Sequence, residues 1–281
     1  MSYSHRFHAG NHADVFKHLA LVALLEASTR AGAAPVTYLE THAGEGRYTL
    51  GPTGEWTEGI GKLDRAGTAP GERGVLGTYG DVLARVGAGS RVPNRGGEYP
   101  GSPVVALAVL RPVDKAVLVE KQSEAVGALR RTVRHDARAE VVQGDGLAVL
   151  RERVADITGR SALVVHLDPA YGDPEEWRTA ADALALCAQA GVRAVLWYPV
   201  KSLARPNTLL ARLGEQKAQA TTVEVHVTPL DVKRNALNGS GMVFVNPPPG
   251  VTHTLAAQAA ALGEALSTHD GRFGVRVQRT A

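Results

Sequence analysis

Several apolar segments of this chain end in an acidic residue, and this repeated pattern constrains the fold more than any other feature. The segments are residues 36–40, 116–120, 140–145 and 162–168. Short runs of aliphatic, β-branched residues are typical of parallel strands that are covered on both faces. Helix-like segments separate them, so the sequence predicts an α/β fold whose parallel sheet carries acids along its carboxyl edge.

The segment 162–171 has the strongest chemical character. It reads Ala-Leu-Val-Val-His-Leu-Asp-Pro-Ala-Tyr, and the strand must stop at Asp168 because Pro169 has no N–H to donate. Ligands of open α/β sheets bind beyond the carboxyl ends of the strands. The Asp168 carboxylate and the Pro169 carbonyl could accept the two hydrogens of an exocyclic amine while Tyr171 stacks on its ring. Taken alone, Asp-Pro is more often a simple turn opener.

The first predicted strand, 36–40, passes into Thr-His-Ala-Gly-Glu-Gly, which contains Gly44 and Gly46. Glycines let the backbone approach a nucleotide closely, and we expect a helix N-terminus behind them. The dinucleotide fingerprint Gly-x-Gly-x-x-Gly would need glycine at Thr49, so an NAD-dependent oxidoreductase is disfavoured.

Glu120 and Asp145 end the next two predicted strands. An acid after the second strand can hold ribose hydroxyls, and an acid after the third can accept from an adenine amine. Each could instead cap the following helix. Because the acids recur in register at successive strand ends, the pattern favours a cofactor that carries adenosine.

Composition limits the class of protein. With 281 residues, 44% of them hydrophobic, and the single cysteine Cys187, the chain can bury a core without disulfides and suits a reducing compartment. It has no signal-like start and no apolar run near the roughly 20 residues of a membrane span. We therefore expect a soluble, cytoplasmic protein. A net charge of +3 is compatible with a polyanionic partner but does not establish one.

The N-terminal segment is unusually rich in basic residues. Its histidines, His5, His8, His12 and His18, suggest a metal site, but no Cys or His-Glu-x-x-His pattern supports one, and we predict none. Contacts to phosphates and a base explain the composition better, with His5 and Arg6 on the substrate side. Residues 14–26 have helical spacing and predict an amphipathic helix.

The long gap between the first two strands predicts a small inserted helical subdomain at 50–98, within a main domain formed by 1–49 and 99–281. The Pro- and Gly-containing turn at 99–103 could return Ser102 to the cofactor. Later segments predict strands at 192–200, 221–227 and 241–245, the last two as a hairpin at the sheet edge. The predicted sheet therefore has seven strands, and we assign no function to residues 273–278.

A set of motifs spread over nearly the whole chain resembles the bacterial 23S ribosomal RNA adenine-N6 methyltransferases of the J type. These motifs are His-Arg-Phe-His-Ala-Gly-Asn-His-Ala-Asp-Val-Phe-Lys-His from residue 5, Glu-Thr-His-Ala-Gly-Glu-Gly-Arg-Tyr from 40, Tyr-Pro-Gly-Ser-Pro from 99, Asp-Gly at 145, Asp-Pro-Ala-Tyr from 168, Leu-Trp-Tyr-Pro from 196 and Gly-Ser-Gly-Met from 239. The resemblance implies a Rossmann-like class I methyltransferase fold, S-adenosylmethionine as methyl donor, and a monomer that acts on protein-free 23S RNA or an early assembly intermediate.

The resemblance also assigns roles to residues. It makes Asp168 the catalytic acceptor, beside the Pro169 carbonyl and the Tyr171 ring that segment 162–171 itself indicates, and places Tyr3 on the substrate side. The residues implied to line the cofactor site are Lys17, His18, His42, Ser102, Glu120, Asp145, Gly146 and Asp168, and the Gly-x-Gly turn adds Gly44. The usual tetrapeptide is Asp-Pro-Pro-Tyr, and Ala170 stands in place of the second proline, which removes one φ constraint but keeps the Pro169 carbonyl.

Two rival functions remain open from the residues alone: a DNA adenine-N6 methyltransferase and a non-catalytic nucleic-acid-binding protein on the same fold. A second copy of the catalytic pattern also has to be considered. The tetrapeptide Asn-Pro-Pro-Pro at Asn246 resembles an active-site motif, but it lacks an aromatic residue in fourth place. We interpret it as a strand terminator.

Overall fold

The computed structural model describes residues 5–30, 34–65, 75–85, 97–156, 162–232, 236–267 and 271–280. Its helices are α1 (His5–His8), α2 (His12–Arg30), α3 (Ile60–Arg65), α4 (Val75–Arg85), α5 (Ser102–Val109), α6 (Ser123–Val133), α7 (Gly146–Ala155), α8 (Pro174–Gln189), α9 (Ala204–Glu215) and α10 (Val251–Leu266). Its strands are β1 (Val36–Glu40), β2 (Arg47–Thr49), β3 (Glu98–Pro100), β4 (Lys115–Glu120), β5 (Ala139–Gln143), β6 (Ala162–Leu167), β7 (Arg193–Val200), β8 (Ala220–His226), β9 (Gly239–Val245) and β10 (Gly274–Arg279).

The central sheet has the order β10-β8-β9-β7-β6-β1-β4-β5. Strands β5, β4, β1, β6 and β7 run parallel, whereas β9 is antiparallel to both β7 and β8. The predicted α/β class with a parallel sheet is therefore confirmed. Because β1 lies between β4 and β6, the acid-terminated strand ends share one edge of the sheet, as the sequence pattern required.

The prediction of seven strands is wrong by one, because β10 adds an eighth to the central sheet. It pairs antiparallel with β8, from Gly274 opposite His226 to Arg279 opposite Thr221, so the β8–β9 hairpin is not at the edge. Arg276 of β10 places its Nε 3.0 Å from the buried carboxylate of Glu224, which also accepts from the Tyr198 hydroxyl.

Helix α2 is not amphipathic, contrary to the prediction. Apart from a few polar positions near its start and at its end, its residues are buried around the whole circumference. It packs against the sheet on one side and against α4, α5 and α10 on others. The uninterrupted apolar run at residues 19–25 already indicates a helix buried on every side, which a count of apolar residues at helical spacing overlooks.

The described parts of the predicted insertion share the core of the main domain. Trp56, Leu63, Tyr79 and Val82 are buried in the same apolar cluster as α2 and α5. The hydroxyl oxygens of Tyr79 and Tyr99 lie 2.8 Å apart and join α4 to the returning turn. A separate subdomain at 50–98 stays a prediction. Among the described residues, none of the helices has both the length and the apolar character that crossing a membrane requires.

Candidate active site

A cleft of about 1330 Å³ opens at the carboxyl ends of the parallel strands. Its two ends differ in character. One, the glycine end, lies beyond β1, β4 and β5 and is lined by Gly44, Glu120, Asp145 and Gly146. The other, the aromatic end, lies beyond β6 and β7 and is lined by Tyr171, Trp177, Trp197, Pro199, Lys201 and Arg205. Asp168 follows β6, which lies between β7 and β1 in the sheet, and it therefore lies between the two ends of the cleft.

The turn after β1 brings the backbone to the glycine end. Gly44 has φ 61°, and a Cβ there would overlap the Tyr48 hydroxyl. The predicted helix N-terminus behind these glycines is wrong, because residues 41–46 lead into the short strand β2, which pairs with β3. The Gly101 N–H then donates to the Gly46 carbonyl at 2.8 Å, so the returning turn supports the loop where a helix was expected.

The carboxylate of Glu120 is fixed at the glycine end. Its two oxygens accept from the Gly44 N–H at 2.9 Å and from the Gln122 N–H at 2.8 Å. Helix α6 begins after Gln122 and has no side-chain cap, so helix capping does not explain Glu120. Each oxygen keeps a lone pair for a further donor, as binding a pair of hydroxyl groups would require.

Asp145 does cap a helix. Its Oδ1 accepts from the N–H groups of Leu147 and Ala148, at 2.9 and 3.0 Å, so the capping alternative raised by the sequence is realised at this position. Oδ2 has no partner among the described residues, and the exposed side chain lines the cleft. Gly146 follows at the first position of α7, where an added Cβ would lie 2.0 Å from the Thr41 carbonyl oxygen. Only glycine allows α7 to begin this close to the end of β1.

Asp168 is paired with Lys17 of helix α2. Lys17 Nζ lies 2.6 Å from Asp168 Oδ2 and 2.9 Å from Asp14 Oδ1, with both acids partly buried. Burial alone would lower the pKa of Lys17, but the two carboxylates raise it well above its ordinary value, so the ammonium stays charged. Burial opposes ionisation of Asp14, and Lys17 nevertheless lowers its pKa.

Tyr171 is held in an unusual backbone conformation. Its φ is 55°, in the left-handed region, and its hydroxyl donates to the Trp197 carbonyl at 2.7 Å. Its ring packs 4.3 Å from that of Trp177. These contacts fix the loop although Ala170, exposed here, supplies no φ constraint. The Asp168–Tyr171 loop is therefore ordered by tertiary contacts on the aromatic side.

Of the other residues that the resemblance assigned to the cofactor site, Lys17 and His42 line the cleft, but His18 and Ser102 do not. His18 is buried, stacks on Tyr99 with ring centroids 5.4 Å apart, and has Nδ1 2.9 Å from the Tyr99 hydroxyl. Ser102 is buried and donates to Glu40. Both lie behind the cleft wall, where they support it.

Sequence reasoning missed a buried polar cluster beneath the site. Glu40 accepts from Ser102 and, at 3.0 Å, from Tyr38, and His166 Nδ1 lies 3.2 Å from the Tyr38 hydroxyl. Glu40, Tyr38 and His166 are fully buried. The cluster joins the ends of β1 and β6 to the returning turn. The sequence signal that could have indicated this cluster was the presence of polar residues, Glu40 and His166, in two otherwise apolar strands.

Burial of His18 predicts a pH dependence of stability. Burial, followed by the nearby Lys17 charge, lowers the pKa of His18 from 6.5 to about 3. Between these two pH values the histidine binds a proton in the unfolded chain but not in the folded protein. The free energy of unfolding therefore falls as the pH falls. His18→Asn keeps a polar group near Tyr99 but cannot titrate.

We expect denaturant titrations between about pH 4 and pH 6 to show a shallower pH slope for His18→Asn than for the wild type. The difference should approach the equivalent of one proton, about 1.4 kcal/mol per pH unit. Equal slopes would show that His18 does not carry this effect. His12 and His42, whose pKa values burial also lowers, contribute in the same direction in both proteins.

The described N-terminal histidines have separate partners. His8 Nδ1 lies 3.0 Å from Glu55, and His12 Nε2 lies 3.1 Å from the Leu237 carbonyl. Across the described ranges, no group of three or more His, Cys, Asp or Glu side chains could hold a metal ion. Tyr3 lies outside the described residues. The side chains of His5 and Arg6 also lie outside the described part, so their substrate role stays a prediction.

The Asn-Pro-Pro-Pro sequence lies at the opposite edge of the sheet. Strand β9 runs antiparallel to β7 and ends with Val245 beside Ala194, near the start of β7. The Asn246 amide donates to the carbonyls of Cys187, Ala188 and Val192, at 2.9 to 3.2 Å. Asn246 therefore follows the end of the strand, in agreement with the interpretation as a strand terminator, and it also holds the end of α8.

Comparison with known proteins agrees with this arrangement. The family described as "Ribosomal RNA large subunit methyltransferase D, RlmJ" matches residues 33–278. Ribosomal RNA large subunit methyltransferase J of Escherichia coli (strain K12) is 34% identical over 262 residues, which cover 88% of each chain. The protein of the same name from Haemophilus influenzae is 29% identical over 260 residues, again 88% of each chain.

A solved structure extends the match. The crystal structure of a protein from Legionella pneumophila str. Philadelphia 1 superimposes with a TM-score of 0.84 at 26% identity, covering 98% of this chain and 99% of that one. Family match, identity and shared coverage confirm the resemblance that the motifs carried. The chain belongs to the RlmJ family of large-subunit ribosomal RNA methyltransferases.

Proposed function

We propose that this enzyme transfers a methyl group from S-adenosylmethionine to the exocyclic N6 of an adenine in 23S ribosomal RNA. One observation carries the proposal: Asp168 and Pro169 line a single cleft between its glycine-lined end and its aromatic end, where Tyr171 lies. This arrangement offers separate places for an adenosine-bearing donor and for a flat, amine-bearing acceptor.

The glycine end fits the donor. The immobilised Glu120 carboxylate can accept from both ribose hydroxyls, and Asp145 Oδ2 can accept from the adenine amine. At Gly44 and Gly146 a side chain would meet the Tyr48 hydroxyl and the Thr41 carbonyl, so glycine lets the loop after β1 and the start of α7 pack closely at this end of the cleft. Lys17, His42 and Asp168 would lie along the rest of the donor. His18 and Ser102 would not contact the donor but would support the cleft wall through Tyr99 and Glu40.

The chemistry follows from the position of Asp168. An adenine amine is a poor nucleophile because its lone pair is delocalised into the ring. Lys17 occupies Asp168 Oδ2, which leaves Oδ1 and the Pro169 carbonyl as acceptors for the two amine hydrogens. Their pull favours tetrahedral nitrogen and directs its lone pair along the transfer line. Asp168 is placed to take the proton that the nitrogen loses when the new C–N bond forms.

Bound S-adenosylmethionine supplies a methyl group already activated by its positive sulfur. The protein therefore contributes positioning and electrostatics. Tyr171, fixed by Trp177 and Trp197, offers its ring to the target base, which must leave its stack to reach the cleft. Tyr3, His5 and Arg6 would contact the same RNA.

Methyl transfer from labelled S-adenosylmethionine tests the proposal. Protein-free 23S RNA, assembled large subunits and a DNA strand of the same sequence are compared as acceptors, and the product nucleoside is identified by mass spectrometry. We expect N6-methyladenosine in the protein-free RNA, with far less transfer to the other two. Preferential DNA methylation would support the DNA enzyme instead, and RNA binding without transfer would support the non-catalytic alternative.

The same proposal extends to the setting of the reaction. We place it in the cytoplasm, where a monomer would act on protein-free RNA or an early assembly intermediate. An adenine held between Asp168 and Tyr171 must be free of its pairing partner, which favours RNA that is not yet locked in a finished subunit.

A further inference from the structure

Two exposed cations stand at the mouth of the aromatic end. Lys201 follows β7 directly, and Arg205 is in the first turn of α9. Both line the cleft, and neither has a hydrogen bond or ion pair with any other residue in the described ranges. This sets them apart from Arg47, Arg138 and Arg212, each of which pairs with a carboxylate.

We propose that Lys201 and Arg205 bind the phosphates that flank the target nucleotide. The inference rests on the proposed function and names the part of the RNA that this wall of the cleft receives. Unpaired cations at a cleft mouth neutralise no carboxylate of the protein itself. When they bind a phosphate, the release of its counterions contributes favourable binding free energy.

The position of the pair relative to Tyr171 supports this assignment. Tyr171 is tied to the β7 backbone through the Trp197 carbonyl, and Pro199 continues the same wall towards Lys201. A base stacked at Tyr171 must have its sugar and phosphates directed out of the cleft. The sugar-phosphate backbone of the RNA then leaves the cleft alongside the segment that carries Lys201 and Arg205. Contacts of this kind set the register of a nucleic acid without reading its sequence.

A second basic surface provides a direct comparison. Arg130 and Arg131 of α6 are also exposed and also have no partner among the residues that the structure describes. Unlike Lys201 and Arg205, they do not line the cleft. Changing either pair to alanine removes two positive charges. An effect of net charge alone on RNA binding would therefore be the same for both double variants.

The experiment compares K201A/R205A with R130A/R131A. Binding of a single-stranded fragment of 23S RNA is measured over a series of salt concentrations, and KM for the same RNA is measured in methyl transfer. For K201A/R205A we expect the slope of log K against log salt to fall by about 0.7 for each lost contact. Affinity near physiological salt should fall roughly ten-fold, and KM should rise in parallel.

R130A/R131A should keep the slope and KM of the wild type. Calorimetry with S-adenosylmethionine and thermal unfolding show whether each variant keeps its fold. An unchanged slope in K201A/R205A, or an equal loss in both variants, would overturn the inference while normal wild-type transfer leaves the proposed function intact. Wild-type protein that transfers no methyl group to RNA would overturn both.

Discussion

Asp168→Ala is expected to slow methyl transfer severely while the protein remains folded. The carboxylate is the acceptor that matters most as the amine becomes tetrahedral, so its loss should reduce single-turnover transfer by roughly 10²- to 10³-fold. Folding should persist because Lys17 keeps its contact with Asp14, at 2.9 Å, and is not left as a buried charge without a partner. Affinity for S-adenosylmethionine should change much less.

Asn246→Ala is the matched control, since it alters the similar tetrapeptide at the other edge of the sheet. It removes the amide that holds the end of α8 and puts alanine at φ 47°. We expect a loss of stability, on the order of 1–3 kcal/mol, with normal transfer in the folded fraction. Both variants are assayed at equal folded concentration. Near wild-type transfer by Asp168→Ala, or its loss only in Asn246→Ala, would contradict the catalytic assignment.

Gly146→Ala is expected to damage the donor site severely. The added Cβ would lie 2.0 Å from the Thr41 carbonyl oxygen, so α7 and the end of β1 must separate. Asp145 and the loop that holds Gly44 would then move apart. A misplacement of about 1 Å can cost on the order of 100-fold, and overpacking itself costs roughly 1–3 kcal/mol of stability. Calorimetry and unfolding measure the two effects separately.

Gly144→Ala supplies the control for this variant. Gly144 is two residues away in the same strand-to-helix connection, yet a Cβ there would have no atom within 4 Å. It should bind S-adenosylmethionine like the wild type. Similar losses in both variants would mean that the connection needs glycine flexibility, and the argument from close approach at Gly146 would be wrong.

The residues that the sequence identified best are those whose position depends on local pattern. Asp168, Glu120 and Asp145 each follow an apolar run, and parallel strands bring such ends to one edge whatever the rest of the chain does. Asp145 also shows the limit of this argument, because a local pattern cannot separate a helix cap from a ligand contact, and the structure shows that capping leaves one oxygen available.

Features that depend on distant partners could not be predicted. The identity of the helices that cover α2, which lie far away in the chain, is of this kind, although the apolar run at residues 19–25 itself signalled burial on every side. His18 and Ser102 belong to the motifs, but their side chains contact Tyr99 and Glu40 respectively, behind the cleft wall. The segment 273–278 had no assigned role, since Arg276 acquires one only when Glu224 is buried beside it.

Strand β10 also decides which strand forms the outer edge of the sheet. Without it, β8 would present a free row of backbone N–H and C=O groups, a template for pairing between copies. β10 satisfies that row and becomes the outer strand itself, with the exposed Arg279 on it. The salt bridge from Arg276 to Glu224 fixes the register of this strand. The closing strand, remote from the chemistry, thus moves the open edge of the sheet from β8 to a strand that carries Arg276 and Arg279, and charge on an edge strand disfavours pairing between copies.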